Sequence, residues 1–216
     1  ELLLLEELWL SNNQITGNIP FQLYMLKNLK YLNLSDNSLE GTISAAIGNL
    51  EKLEYINLFD NQIKGFIPNQ IGNLTNLEYV SLGRNQLVGT IPSELGDLNQ
   101  LKSIALFENN LIGTLPHQMM NLKNLVYLDL SQNELEGHIS GKLMARTNLS
   151  YLRLDDNNFH TCNVDTICNS LYDWTNSIYY DISKNPFLEK IPHCLSQSNQ
   201  RDIKEMYLKY LTKFEN

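Results

Sequence analysis

The stretch YLNLSDNSLEGTIS, residues 31–44, decides the fold, because nearly the same stretch returns as YLDLSQNELEGHIS at residues 127–140. Apolar and polar residues alternate over its first four positions, as expected of a strand with one buried face. An Asn then ends the alternation, and a Gly follows it four residues later. The recurrence of strand, Asn and Gly predicts an internal repeat.

Alignment of the chain with itself extends this repeat over most of the sequence. An Asn recurs every 24 residues at Asn13, Asn37, Asn61, Asn85, Asn109, Asn133 and Asn157, and Asn185 follows after 28 residues. The surrounding frame is L-x-x-L-x-L-x-x-N-x-L-x-G-x-I-P, seen without a gap in residues 5–20. The chain is therefore predicted to stack eight similar coils into a solenoid.

Each part of the frame has a mechanical role. The L-x-L step, as in Leu8 and Leu10, has the period of a half-buried strand, and such strands should stack in parallel. The Asn amide can bond main-chain groups of its own turn and of the neighbouring coil. Gly permits the next turn, and Pro stiffens a return arm of short helical turns. These residues are Gly17, Gly41, Gly65, Gly89, Gly113 and Gly137, with Pro20, Pro68, Pro92 and Pro116.

The frame resembles the plant-type, 24-residue class of leucine-rich repeat, including the G-x-I-P element and the L-G-x-L of residues 95–98. The resemblance runs from about Leu2 to Leu195. It implies an α/β fold, a right-handed curved solenoid with a concave parallel sheet and short helical turns on the convex side. Members of this family are mostly extracellular recognition modules, including receptor ectodomains and secreted inhibitors of wall-degrading enzymes.

The two ends depart from the family pattern. Leu2 and Leu5 occupy the register that Leu26 and Leu29 hold one repeat later, and the usual Cys-bearing N-terminal cap is absent. Because an uncapped apolar end favours aggregation, we expect that upstream repeats are missing from this segment. The solenoid is predicted over residues 1–195 and a C-terminal helical cap over residues 196–216.

The cap is inferred from helical periodicity. Its apolar face consists of Ile203, Met206, Tyr207, Tyr210, Leu211 and Phe214, and Asp202 with Glu205 has capping-box spacing. We interpret this helix as covering the last coil. The alternative is a docking helix for a partner.

Composition excludes several classes of function. Lys and Arg number 16 against 24 Asp and Glu, which gives 16 − 24 = −8, and no window clusters the basic residues that a nucleic acid requires. The longest aliphatic run, Leu2–Leu5, is far too short to cross a bilayer, and no basic segment precedes it. We therefore expect a soluble chain with no signal peptide, no direct membrane insertion and no nucleic-acid partner.

Three cysteines, Cys162, Cys168 and Cys194, lie near the C-terminus and allow three pairings with one thiol left over. Cys162 with Cys168 is preferred because both lie in the irregular stretch after repeat seven, but Cys194 can pair with either. A zinc site with His160 and His193 is the alternative. The lack of paired C-x-x-C spacing and the extracellular character of the repeat favour a disulfide.

Glycosylation sequons occur at Asn33, Asn73 and Asn148, which suits a secreted glycoprotein. Composition alone would produce about three sequons by chance, so they do not establish secretion. Asn73, in the return arm, is a better acceptor than Asn33, which points from a strand.

Catalytic chemistry finds little support. His117 and His138 occupy variable positions without a nucleophile or base beside them, so no enzymatic activity and no cofactor are predicted. Acidic residues follow several strands at Asp36, Asp60, Glu108 and Asp156. Calcium binding there is one interpretation, but a solvated face is favoured.

The concave face carries the candidate binding residues, because alternate strand positions point outward and form columns about 4.8 Å apart from strand to strand. The first column reads Glu7, Tyr31, Tyr55, Tyr79, Ser103, Tyr127, Tyr151 and Tyr179. The second reads Trp9, Asn33, Asn57, Ser81, Ala105, Asp129, Arg153 and Asp181, and the third includes Phe59 and Phe107. Six Tyr rings could stack along the first column, either as a structural ladder or as part of a recognition surface.

The candidate ligand-binding residues are Trp9, Tyr31, Tyr55, Phe59, Tyr79, Arg84, Phe107, Tyr127, Asp129, Tyr151 and Arg153. We expect an extracellular or cell-surface module that binds a peptide, protein or glycan. The alternative is a structural component held in a larger assembly by its open N-terminal end and its C-terminal helix.

Overall fold

A computed structural model of the chain describes residues 2–144, 148–162 and 179–186. Its strands are, in chain order, β1 (Glu7–Trp9), β2 (Thr16–Asn18), β3 (Tyr31–Asn33), β4 (Ser38–Glu40), β5 (Tyr55–Asn57), β6 (Lys64–Gly65), β7 (Tyr79–Ser81), β8 (Gln86–Gly89), β9 (Ser103–Ala105), β10 (Asn110–Gly113), β11 (Tyr127–Asp129), β12 (Glu134–Ile139), β13 (Tyr151–Arg153), β14 (Asn158–Cys162) and β15 (Tyr179–Asp181). Odd-numbered and even-numbered strands belong to different sheets, so the chain passes from one sheet to the other within each repeat.

The eight odd-numbered strands build the main sheet. Their order is β1-β3-β5-β7-β9-β11-β13-β15, and every neighbouring pair is parallel. The even-numbered strands lie in two further parallel sheets, which we call together the flank sheet. Strand β2 pairs with β4, and β6, β8, β10, β12 and β14 form a five-stranded sheet. An isolated bridge between Thr42 and Lys64 joins these two parts. The predicted parallel solenoid is confirmed.

The return arms are short helices, as predicted. They are 3-10 helices at Phe21–Met25, Ala45–Asn49, Asn69–Asn73, Ser93–Asp97 and His117–Asn121, and one α-helical turn, α1, at Gly141–Met144. Pro directly precedes four of them, with φ between −57° and −70°. In the remaining 3-10 helix Ser44 takes this place, and its Oγ accepts a hydrogen bond from the amide of Ala46 at 3.2 Å. Pro has no amide hydrogen that would need a partner, and Ser44 supplies an acceptor for an amide of the first helical turn.

The apolar positions of the frame form one continuous core. In a central repeat the buried framework residues are Leu74, Leu77, Val80, Leu82, Leu87, Ile91 and Leu95, none more than 3% exposed. Full burial of each such side chain contributes about 1.5–3 kcal/mol. Because consecutive coils supply the same positions, the core runs along the solenoid as stacked layers.

The Asn of each repeat ties adjacent coils together. Asn85 Nδ2 faces the carbonyl oxygens of Leu82 and Gly83 in its own turn at 3.2 and 3.1 Å, and that of Leu58 in the preceding coil at 2.9 Å. Its Oδ1 accepts a hydrogen bond from the amide of Ile63 at 2.9 Å. The same pattern recurs at Asn61, Asn109, Asn133 and Asn157. The predicted asparagine ladder is confirmed.

Turn residues on both sides of the Asn adopt left-handed backbone geometry. Gly17, Gly41, Gly65, Gly89, Gly113 and Gly137 have φ between 79° and 88°, as the sequence predicted. The residue just before each ladder Asn also has a positive φ of 50° to 57°, although it is never Gly. This position was not predicted, because Asn12, Asp36, Arg84 and Glu108 share no side-chain chemistry that would reveal it.

Several predictions fall outside the described residues. These are the helix over residues 196–216, Cys168 and Cys194, and the side chain of Cys162 at the end of β14. The division at residue 195 lies there as well and stays a prediction. Within the described ranges, no helix is both long and apolar enough for a membrane span.

Candidate ligand-binding face

The register of the main sheet aligns the predicted columns. Tyr31 pairs with Glu7 and Tyr55, Tyr79 pairs with Tyr55 and Ser103, and the series continues through Tyr127 and Tyr151. In the second column Asn33 pairs with Trp9, and Asp129 pairs with Ala105 and Arg153. The alternating side chains of β1 to β15 therefore share one face of the sheet.

The aromatic rings form two groups, because Ser103 interrupts the first column. Toward the C-terminus, Tyr127 stacks on Tyr151 with centroids 4.2 Å apart, and Tyr151 stacks on Tyr179 at 5.0 Å. All three are buried. Ser103 carries no ring, so it interrupts the series of Tyr residues in the first column at β9.

Toward the N-terminus, Trp9 crosses from the second column to the first. Its ring lies 6.3 Å from Tyr31 and 5.6 Å from Tyr55, and Tyr55 lies 6.1 Å from Tyr79. Tyr55 is buried, whereas Trp9, Tyr31 and Tyr79 are half-buried. Tyr31 Oη donates a hydrogen bond to Glu54 at 2.9 Å, and this bond raises the pKa of Tyr31.

The centre of the face is different, because small residues separate the two Tyr groups. Phe59 and Phe107 are two repeats apart, yet their ring centroids lie 5.7 Å from each other. They meet across Gly83, where a Cβ atom would lie 2.9 Å from the Phe107 ring. Both rings are half-buried. Gly83 therefore creates the space in which two aromatic rings form an accessible apolar patch, the Phe59/Phe107 patch.

Arg84 borders this patch. Its Cζ atom lies 5.6 Å from the Phe59 ring centroid, within the range of a cation–π contact. Its guanidinium also lies 3.6 Å from Asp60 and 3.0 Å from Glu108, and the Arg84 side chain is 49% exposed. Asp60, Glu108 and the Phe59 ring thus hold the Arg84 guanidinium at the edge of the face, where its N–H groups are still accessible.

A buried charge cluster lies under the C-terminal half of the face. Arg153 donates to both oxygens of Asp155, from Nε at 2.8 Å and from Nη2 at 2.7 Å, and its Nη1 lies 3.8 Å from Asp129. Asp129 accepts a hydrogen bond from Ser131 Oγ at 2.6 Å. Burial raises the pKa of Asp129 to about 6, although Arg153 and Ser131 act in the opposite direction. This cluster joins neighbouring strands.

Tyr151 packs against the same cluster. Burial raises the pKa of its hydroxyl, and the charge of Asp129 adds to the effect. Its Oη is buried and forms no hydrogen bond among the described residues. Tyr127, Asp129 and Tyr151 were predicted as ligand contacts; the structure places all three inside the face, with Arg153 half-buried above them.

The predicted glycosylation acceptors occupy different surroundings. Asn73 is exposed at the end of the helix Asn69–Asn73. Asn148 is exposed, and its Nδ2 donates to the carbonyl oxygen of Lys123 at 2.8 Å. Asn33 is only 4% exposed, and its Oδ1 accepts from the amide of Ser35 at 3.1 Å. Asn33 is therefore poorly accessible for attachment of a glycan.

A second asparagine ladder was missed by the sequence analysis. Asn28, Asn76, Asn124 and Asn148 each donate from Nδ2 to a carbonyl oxygen 25 residues earlier, at 2.8 to 2.9 Å. The Asn-Leu dipeptide that opens several strands was a usable signal. These bonds tie coils together at the opposite end of each strand from the main ladder.

Metal chemistry gains no support from the described part of the chain. It contains no group of three or more His, Cys, Asp or Glu side chains placed to hold an ion. Along the chain, Asp36, Asp60, Glu108 and Asp156 are separated by 24, 48 and 48 residues, and the Arg84 guanidinium lies between Asp60 and Glu108.

Comparisons with known proteins define the class. Sequence profiles of the leucine-rich repeat family match residues 4–63, 76–98 and 124–144. Together with the parallel solenoid and its asparagine ladder, they show that the chain belongs to the leucine-rich repeat family. No curated protein matches the chain.

Solved structures of plant proteins share the fold. One is the ectodomain of the Arabidopsis thaliana receptor kinase GASSHO1/SCHENGEN3 in complex with CASPARIAN STRIP INTEGRITY FACTOR 2, with a TM-score of 0.74 and 35% identity over 81% of this chain and 21% of that one. Another is the Arabidopsis receptor kinase HAESA with the peptide hormone IDA and the co-receptor SERK1, with a TM-score of 0.75 and 33% identity over 83% and 30%.

A third structure shows that the fold serves other purposes. A plant ice-binding protein has a TM-score of 0.73 and 27% identity over 82% of this chain and 56% of its own. The chain thus spans about a fifth to just over half of these three structures.

Proposed function

We propose that this chain is a non-catalytic recognition module of an extracellular or cell-surface protein, and that it binds a peptide or protein segment on its concave face. Its membership of the leucine-rich repeat family and its similarity to receptor ectodomains support the proposal. Of those two ectodomains, HAESA is in complex with a peptide hormone and GASSHO1/SCHENGEN3 with CASPARIAN STRIP INTEGRITY FACTOR 2.

The observation that carries the proposal is the Phe59/Phe107 patch. Two half-buried rings 5.7 Å apart lie near the middle of the main sheet, and the neighbouring positions Ser81, Ser103 and Ala105 are small. Aromatic rings in such a setting bury large area at little entropic cost, and binding hot spots concentrate in them. An apolar side chain of the ligand is therefore proposed to cover the two rings.

The predicted binding residues divide into two roles. Trp9, Tyr31, Tyr79, Phe59, Phe107, Arg84 and Arg153 have accessible surface and are proposed to contact ligand. Tyr55, Tyr127, Asp129 and Tyr151 are buried and are proposed to support the face from below. The proposal thus assigns the recognition role to one part of the Tyr column and the structural role to another.

Charge favours a basic group on the ligand. Asp60 and Glu108 flank Arg84 beside the patch, and the chain has a net charge of −8. Arg84 adds directional donors beside these carboxylates, suited to a ligand carbonyl or carboxylate. We propose a ligand segment with an apolar side chain flanked by at least one Lys or Arg.

The test is binding of peptides selected from a random display library against the purified chain. Phe59→Ala and Phe107→Ala should each weaken binding of a selected peptide by at least about 2 kcal/mol, because both rings lose their partner. Asn69→Ala, at an exposed convex position, should leave binding unchanged. Equal unfolding midpoints for Phe59→Ala and wild type would assign the loss to the contact.

Loss of binding in Asn69→Ala, with Phe59→Ala and Phe107→Ala unaffected, would place the site on the convex face and refute the proposal. Selection of no peptide, while an oligosaccharide array gives binding that Phe59→Ala abolishes, would change the ligand class to glycan and retain the face.

The exposed first coil favours a second candidate, a structural component of a larger assembly. Leu2, Leu3 and Met25 are 65%, 60% and 54% exposed and line one apolar hollow, which a neighbouring molecule would cover. A recognition module should purify free, whereas an assembly component should copurify with fixed neighbours at constant stoichiometry.

A further inference from the structure

A groove of about 570 Å³, which we call the Phe66 groove, lies beside the return arms of three successive coils. Its lining comes from the turns after β6, β8 and β10 and from the 3-10 helices that follow, and includes Phe66, Asn69, Thr90, Glu94, Thr114 and Gln118. No described residue of the main sheet lines the groove, so the ligand-binding proposal does not use it.

Phe66 is the residue that distinguishes this groove. Its ring lies over Gly89, the turn Gly of the next coil. One coil later Thr90 lies over Gly113, where an added Cβ atom would be 3.0 Å from the Thr90 methyl carbon. The fold therefore accepts a Thr at this position and does not require an aromatic ring, yet Phe66 is 69% exposed. An exposed ring that packing does not require is available to stack on a ligand.

Neutral hydrogen-bonding side chains surround the ring. Within the part of the chain that the structure describes, the side chains that line the groove without any hydrogen bond of their own are Asn69, Thr90, Thr114 and Gln118. Amides and hydroxyls both donate and accept, so these groups can pair with hydroxyls of a ligand in either sense. The arrangement is an apolar ring with uncharged donors and acceptors around it, as in a small-molecule site whose polar groups fix orientation.

A pyranose sugar matches this arrangement. The axial C–H groups of a β-linked pyranose form an apolar face that stacks on an aromatic ring, and its equatorial hydroxyls point outward to hydrogen-bonding groups at the rim. Charge favours a neutral sugar. Among the described residues, those that line the groove include one carboxylate, Glu94, and no Lys or Arg. An anionic sugar would therefore gain no ion pair and would be repelled by Glu94.

We propose that the Phe66 groove is a second binding site, which takes a neutral β-linked oligosaccharide with one pyranose ring stacked on Phe66. Coils of the solenoid repeat at about the strand spacing of 4.8 Å, which is close to the length of one sugar in an extended β-linked chain. The sugars that adjoin the stacked ring therefore lie along Thr90 and Thr114 in the next two coils. Because the groove and the Phe59/Phe107 patch share no residue, the oligosaccharide leaves the concave face open.

Calorimetric titration of the purified chain with cellohexaose, xylohexaose and a galacturonate hexamer tests the proposal. At least one of the two neutral sugars should bind, and the anionic hexamer should not. Phe66→Thr should weaken binding of the neutral sugar by about tenfold, because Thr fits this position in neighbouring coils but offers no ring face. Phe66→Tyr keeps the ring face and should bind like wild type. Phe66→Thr is expected to unfold at the wild-type midpoint, which assigns the loss of binding to the missing ring.

The matched control is Phe21→Thr, the same substitution at a ring that is 63% exposed on a return arm outside the groove; it should bind the sugar like wild type. Absence of binding for both neutral sugars at the highest soluble concentration would overturn the proposal. So would sugar binding that Phe66→Thr leaves intact, or tighter binding of the galacturonate hexamer. Sugar binding that only Phe59→Ala abolishes would place the sugar on the concave face and would also overturn it.

Discussion

At the scale of single residues, the ladder Asn is the polar side chain that joins main-chain groups of two adjacent coils. Asn85 satisfies main-chain groups of two coils through four contacts, while its neighbour Gln86 is exposed on β8. An amide is required because it presents an acceptor and a two-hydrogen donor in one plane. Asp would lose the donor, and Leu would lose both.

Asn85→Ala is expected to destabilise the chain by roughly 1–3 kcal/mol, because buried main-chain groups lose their partners together. Gln86→Ala, one residue away on an exposed position, should cost far less. Urea unfolding of both variants measures the difference. Equal midpoints would contradict this account of the ladder.

At the scale of elements, the buried charges act between strands. Asp129 lies on β11 and Arg153 on β13, so their 3.8 Å contact joins two strands of the main sheet, and Asp155 holds the other side of the guanidinium. Burial of one cation with two anions is costly unless hydrogen bonds complete it. Ser131 and Tyr127 supply such bonds to Asp129, at 2.6 and 3.3 Å.

This geometry predicts a pH dependence. The pKa of Asp129 is raised to about 6 in the folded chain, so between the unfolded value of about 3.9 and that value the folded state binds more protons. Its contribution to stability is complete below the unfolded pKa and is lost as pH rises through the folded pKa. From about pH 4 to pH 7 the loss should be on the order of 2 kcal/mol.

Asp129→Asn should lack this dependence, since the amide does not titrate and its Oδ1 can still accept from Ser131. The measurement is the free energy of unfolding of wild type and variant across that pH range. A constant difference between the two would show that Asp129 titrates in the folded chain as it does in the unfolded one.

At the scale of the whole molecule, each coil contacts mainly its neighbours, so stability accumulates along the solenoid. The main sheet of this solenoid presents the Phe59/Phe107 patch near its middle, so coils on both sides of the patch hold it in place.

Compartment is also a property of the whole molecule, and the cysteines test it. If the chain is extracellular, non-reducing mass analysis of protein from its native source should find one intramolecular disulfide, with Cys162–Cys168 preferred over pairings with Cys194. Peptide mapping before and after reduction assigns the pair. Three free thiols in protein purified without reductant would count against an extracellular location.

The sequence by itself determined the architecture. The frame repeats at fixed spacing, with Leu at buried positions, Asn at the turn and Gly at a left-handed residue. Strands, turns and core followed from this local pattern, because a coiled solenoid buries the Leu side chains and pairs the main-chain groups at the same time. The columns of the concave face followed too, because strand alternation and register set which positions share a face.

Only the tertiary structure decided which members of those columns are accessible and what they contact. Tyr55 and Tyr79 occupy the same sequence position, yet one is buried and the other half-buried, because ring packing depends on neighbours a full repeat away. The meeting of Phe59 and Phe107 across Gly83, and the 3.8 Å contact of Arg153 with Asp129, likewise depend on side chains that different coils supply. Such contacts join residues that periodicity places in a column but cannot place within contact distance.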